Sequence, residues 1–254
     1  MEKSCIDLSG KVAVVTGSSR GIGKEIALRF AAAGARVVVN YSRDEAGAEA
    51  VVERIGASTL AIQADLADAE AVRALIDQTV EKCGRIDILV NNAATFAENR
   101  FEDDDYDAWQ QGWLRTFQVN VFGLANAAYL AVQHMRRQGG GKVINIASRA
   151  AFRGETTFAD YGASKAAVVN LTRSMARACA KDGIVTTCVA PGFVETEMAA
   201  GELEKHRDEI LAQIPLGRVG SVDDVAGVVL FLASPWADYL NGVTIDVNGG
   251  SYFH

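Results

Sequence analysis

Proline is nearly absent from the chain: three in 254 residues, Pro191, Pro215 and Pro235, so the first 190 positions hold none. Turns there must be made without a rigid ring, and 24 glycines are available to make them. Cysteine is scarce as well. Cys5, Cys83, Cys179 and Cys188 lie far apart with no CxxC pair, which argues against a disulfide framework and for reduced, mostly buried thiols. His134, His206 and His254 are isolated and lack metal-ligand spacing, so no metal is expected. No apolar run approaches the roughly 20 residues that span a bilayer, and the opening stretch lacks the apolar core of a secretory signal. Basic clusters are missing too. With 25 Lys+Arg against 32 Asp+Glu the net charge is −7, which argues against nucleic acid or an anionic membrane as partner. The expectation is a cytoplasmic protein.

What the chain does contain is alternation. Short Val- and Ile-rich runs fall at 12–15, 36–39, 59–62, 86–90, 142–146, 184–189 and 243–247, each too short for a helix and apolar enough to be buried on both faces. Between them lie helix-like stretches at about 21–33, 44–55, 68–83, 104–138, 159–181 and 222–233. In one, Val72, Leu75, Ile76 and Val80 recur at helical spacing behind an Asp68 cap. The pattern predicts an α/β fold: one domain over 1–254, a doubly wound, seven-stranded parallel sheet with helices on both faces.

The first run leads into Thr16-Gly17-Ser18-Ser19-Arg20-Gly21-Ile22-Gly23 and then a helix. Glycines there let the backbone approach a pyrophosphate that the helix N-terminus attracts. The spacing is Gly-xxx-Gly-x-Gly. With it the sequence resembles the short-chain dehydrogenase/reductase family, whose single-domain members carry TGxxxGxG at this place on a Rossmann-type sheet. The resemblance extends to Asp65-Leu66 after the third strand, implied to lie around adenine, and to Asn91-Asn92-Ala93-Ala94 after the fourth, implied to stabilise the sheet and border the cofactor. The family's NNAG usually ends in glycine, so Ala94 is a departure.

Cofactor choice is a matter of charge. An acid directly after the second strand would bond a ribose hydroxyl and repel a 2′-phosphate. The chain instead has Asn40-Tyr41-Ser42-Arg43, with no acid before Asp44. Ser42, Arg43 and Arg20 at these two places favour NADP(H), with NAD(H) as the other possibility.

Tyr161 and Lys165, four apart in a helical stretch, share one face, where the ammonium is expected to favour the ionised phenol. Ser148 ends the fifth run, 13 residues earlier, at the sheet edge where ligands bind; its hydroxyl suits a substrate oxygen. The family resemblance implies that Asn120 is a fourth catalytic position, maintaining a proton relay through the lysine. It also implies that Tyr161 exchanges the substrate proton and that Lys165 holds the nicotinamide ribose. Pro191, Gly192, Val194 and Thr196 would close over the nicotinamide end, with a substrate lid around 193–213.

The C-terminal half resembles 3-oxoacyl-[acyl carrier protein] reductases of fatty acid biosynthesis in stretches such as Val189-Ala-Pro-Gly-Phe-Val-Glu-Thr196 and Asp246-Val-Asn-Gly-Gly250. This implies a homotetramer and a small carbonyl or acyl-thioester substrate, with acyl carrier protein as a possible partner. An NAD-dependent dehydrogenase of a sugar, steroid or other secondary alcohol stays open, as does a non-catalytic dinucleotide sensor. Arg149 and Arg153, beside the serine, could meet an acidic carrier or a carboxylated substrate, or be ordinary surface charges. Trp109, Trp113 and Phe117 at i, i+4, i+8 are expected to form a buried packing face. The acidic run 102–105 is expected to be a solvated helix start.

Overall fold

The computed structural model describes residues 6–57 and 59–254, so Cys5 lies outside it. The seven strands are β1 (Val12–Val15), β2 (Arg36–Tyr41), β3 (Thr59–Gln63), β4 (Ile88–Asn91), β5 (Gly141–Ile146), β6 (Ile184–Pro191) and β7 (Thr244–Val247). They form one parallel sheet in the order β3-β2-β1-β4-β5-β6-β7. Chain order reverses between β1 and β4, which opens a crevice at their carboxyl ends.

Strand alternation sorts the core into two layers. Ala13, Val15, Val37, Val39 and Val90 face one side, packed by α1 (Gly21–Ala32), α2 (Glu45–Ile55) and α9 (Val222–Ala233). Val14, Val38, Leu89 and Val143 face the other, against α3 (Ala69–Cys83) and α5 (Leu124–Arg137). Local chemistry sets the helix ends. Asp68 accepts from the Glu70 N–H, and Gly84, at φ +78°, closes α3 in the left-handed region. Ser221 and Asp224 form a reciprocal capping box on α9.

Three expectations need correction. The stretch 104–138 is not one helix: α4 (Tyr106–Phe117) and α5 are joined by a π-helical turn, Gln118–Gly123. The fourth strand begins at Ile88, because the Asp87 carboxylate is drawn into bonds with the Val12 N–H and Arg85. A short helix, α6 (Ala150–Arg153), follows Ser148 ahead of α7 (Ala159–Cys179). Trp109, Trp113 and Phe117 form a ladder with Phe101, tilted at Phe101–Trp109 and Trp109–Trp113 and stacked at Trp113–Phe117, and are half-buried rather than the buried face expected. Asp105 caps α4 by accepting from the Ala108 N–H. Cys179 and Cys188 are buried and unpaired, and Cys83 is half-buried. No helix among the described residues is long and apolar enough to cross a membrane.

Candidate active site

The crevice opens into a cavity of about 1010 Å³ that runs from the β1–α1 turn to α8 (Ala200–Ala212). Its first wall is the glycine turn. Gly17 and Gly21 have φ of +62° and +56°, which L side chains rarely adopt. A Cβ on Gly17 would lie 2.9 Å from the Ala93 Cα, so only glycine allows the turn to rest on the β4 loop. Thr16 locks the two together: its hydroxyl accepts from the Asn92 and Ala93 N–H groups, while the Asn92 amide donates to the Thr16 and Gly17 carbonyls. Asn40, buried at the end of β2, accepts from the Gly17 N–H and donates to the Ile62 and Ala64 carbonyls. It pins the tips of three strands. The bracing roles of Thr16 and Asn40 have one signal in the sequence, a polar residue ending an apolar strand.

Of the turn residues, Gly17, Ser19, Arg20, Gly21 and Ile22 line the cavity. Ser18 is sealed behind the turn with its hydroxyl on the Val15 carbonyl. Gly23 also lies behind, where a Cβ would meet the Asn92 amide at 2.5 Å. Ala94 lines the cavity without strain, since no non-glycine among the described residues has positive φ.

Ser42, Arg43, Asp65 and Leu66 mark one end of the cavity. Asp44 also lines that end, with one carboxylate oxygen engaged as the N-cap of α2, accepting from the Gly47 N–H. Arg43 is exposed and makes no side-chain bond to any described residue, whereas Arg20 is bridged to Glu197 at 3.0 Å. Burial raises the pKa of Asp65, but the Ala67 N–H and Arg115 outweigh it and keep the carboxyl below its ordinary range.

At the other end stand Ser148, Tyr161 and Lys165. Tyr161 and Lys165 share the first turns of α7, which Asp160 fixes by accepting from the Thr116 hydroxyl at 2.6 Å and the Tyr161 N–H at 2.8 Å. Phe96, an aromatic without a sequence signature, stacks on Phe158 at 3.9 Å and meets the Tyr161 ring edge-on at 4.9 Å. Lys165 is buried, donates to the Ile146 carbonyl at 2.8 Å, and places its ammonium 5.5 Å from the Tyr161 ring centre. The Ser148 hydroxyl accepts from the Ala150 N–H.

The ammonium does not depress the phenol here as the spacing led us to expect. Burial pushes Tyr161 up to about 12, against the opposing Ser148 hydroxyl, and pulls Lys165 down to about 8. Asn120, in the π turn, is buried away from the cavity. Its amide accepts from the Thr95 N–H and donates to the Thr95 carbonyl and the Ser164 hydroxyl. Both N–H donors of that side chain are thereby committed.

Pro191, Gly192, Val194 and Thr196 also line the cavity, and the segment beyond them forms α8, bent at His206. This helix is not merely solvated: Leu203 and Ile210 pack with Ile214 and Val219. Glu197, reaching Arg20, and Gln213, accepting from Arg153, tie both ends of the segment across the cavity mouth.

A family model described as Enoyl-(Acyl carrier protein) reductase matches residues 17–252. A 3-oxoacyl-[acyl-carrier-protein] reductase FabG of Staphylococcus aureus is 42% identical over 245 residues, covering 95% of this chain and 98% of that protein. The FabG of Vibrio harveyi is 36% identical over 250 residues, covering 97% and 99%. Among solved structures, a short chain dehydrogenase from Burkholderia cenocepacia in complex with NADP superposes with a TM-score of 0.88 at 37% identity, covering 96% of this chain and 98% of that one.

Proposed function

The chain belongs to the short-chain dehydrogenase/reductase family, and we propose on that footing that it reduces a carbonyl to a secondary alcohol with NADPH. The observation that carries the reading is one cavity bounded by the glycine turn at one end and by Ser148, Tyr161 and Lys165 at the other. The cradle fits a dinucleotide: a Cβ at Gly17 would push the turn off the β4 loop, and the α1 N-terminus, beginning at Gly21, borders the cavity. The unpartnered Arg43 favours a 2′-phosphate, and the Asp44 carboxylate beside it is engaged in capping α2.

A bound nicotinamide supplies the hydride; the protein supplies position and protons. Ser148 holds the carbonyl oxygen. Tyr161, whose phenol keeps its proton far above neutrality, donates it to the oxygen as negative charge develops there. Lys165, with its pKa pulled down by burial to about 8, is placed to bind the ribose. Pro191, Gly192, Val194 and Thr196 border the nicotinamide. A 3-oxoacyl thioester, free or on acyl carrier protein, is the substrate class suggested by the FabG relatives. We further propose a cytoplasmic homotetramer, as the family resemblance implies, with the exposed apolar side chains of Leu114 on α4, Phe122 in the π turn and Tyr129 on α5 as a contact surface.

The test is to follow NADPH and NADH consumption separately across ketones and acetoacetyl thioesters. Turnover with NADPH in clear excess over NADH is expected. NADH used equally well would overturn the cofactor assignment, and inactivity on every carbonyl would favour a dinucleotide sensor.

A further inference from the structure

Charges around the cavity are mostly paired. Arg20 meets Glu197, Arg115 meets Asp65, and Arg153 lies 3.5 Å from Glu155 and donates to Gln213 at 2.8 Å. Arg43 is unpaired but exposed, so water solvates it. Arg149 is different. It is only 3% exposed, lines the cavity and has no acidic partner or side-chain hydrogen bond among the described residues. Its Nη1 is sealed from solvent with no acceptor. Its guanidinium carbon lies 4.9 Å from the centre of the Phe193 ring, and its N–H donates to the Pro191 carbonyl, which fixes it directly after Ser148.

A buried cation without a counter-charge destabilises the fold, and an aromatic face offsets only part of that because the in-plane N–H donors stay unused. Burial, reinforced by the charge of Arg153, weakens the hold of Arg149 on its proton, and Glu155 only partly compensates. The planar fork of donors matches a carboxylate, and it sits one residue from the hydroxyl assigned to the carbonyl oxygen.

We infer that the carbonyl substrate carries a carboxylate within a few carbons of its reacting carbon, and that Arg149 selects for it. The inference rests on the oxidoreductase reading for where the carbonyl lies. It favours short oxo acids, or thioesters with a carboxylate on the acyl chain, over a plain acetoacetyl thioester.

The experiment compares 3-oxobutanoate and 4-oxopentanoate with their methyl esters. The acids should exceed the esters in kcat/KM by roughly tenfold or more, through KM. In Arg149→Met the ratio should fall toward unity, and Arg149→Lys should recover part of it. A second readout needs no turnover: sodium pentanoate, against pentanamide at equal ionic strength, should raise the melting temperature of the wild type and not of Arg149→Met. Arg149→Met alone should melt no lower than wild type, because an uncompensated buried charge is gone.

Equal use of acid and ester by the wild type, a preference that survives Arg149→Met, or a lower melting temperature for that variant overturns the inference. Neutral esters reduced as well as acids would leave the oxidoreductase reading standing without it. If no carbonyl is reduced at all, that reading fails, and the pentanoate shift decides the Arg149 site by itself: its loss in Arg149→Met supports the site, and no shift in wild type rejects it.

Discussion

Lys165 gives the site its main pH signature. Its folded pKa is about 8, below the ordinary 10.5. Below pH 8 both the folded and unfolded chains hold this proton, and the cost of burying the charge is felt in full. Above 8 the folded protein releases the proton while the unfolded chain keeps it, so stability rises with pH up to the ordinary value. Cys188, pushed up to about 11, opposes this above pH 9, and Tyr161 opposes it above pH 10. The comparison that isolates the lysine is therefore wild type against Lys165→Met, melted without dinucleotide. From pH 8 to 10 the wild type should gain up to about 2 kcal/mol relative to the variant; parallel curves would contradict the burial of a charge. The spacing of Tyr161 and Lys165 is legible because four residues bring two side chains together on any helix. The commitment of Asn120 is not, since its partners Thr95 and Ser164 are 25 and 44 residues away. The isolation of Arg149 is equally invisible, because being unpaired is a property of the whole surroundings.

At the level of elements, the glycine turn and the seven-stranded parallel sheet follow from local signals: glycines after an apolar strand, and Val-rich runs alternating with amphipathic helices. The π turn at Gln118–Gly123 does not, because it changes backbone pairing without disturbing the apolar period that makes 104–138 read as one helix. Gly123, inside that turn, packs against the Leu66 backbone so closely that an added Cβ would strike the Leu66 carbonyl. Leu66 lines the cavity. Gly123→Ala should thus cost roughly 1–3 kcal/mol in urea unfolding and weaken dinucleotide affinity. An unchanged midpoint would show that the turn has room the packing denies.

For the molecule as a whole, the uneven distribution of proline acquires a physical reading. The cradle half depends on glycine turns and backbone N–H groups near the cavity, whereas Pro191 lies on the cavity wall and Pro215 follows α8. Leu114, Phe122 and Tyr129, each more than half exposed, form the apolar surface on which the proposed assembly would rest. Phe122→Glu combined with Tyr129→Glu should shift sedimentation to a smaller species while each protomer stays folded; an unchanged sedimentation coefficient would place the contacts elsewhere. Whether the assembled cavity performs proton and hydride transfer to a carbonyl is decided most directly by Tyr161→Phe. NADPH consumption with a carbonyl that the wild type reduces should vanish in this variant, while NADPH binding, read by fluorescence, stays within a few-fold of wild type. Full turnover without the phenol would contradict the account.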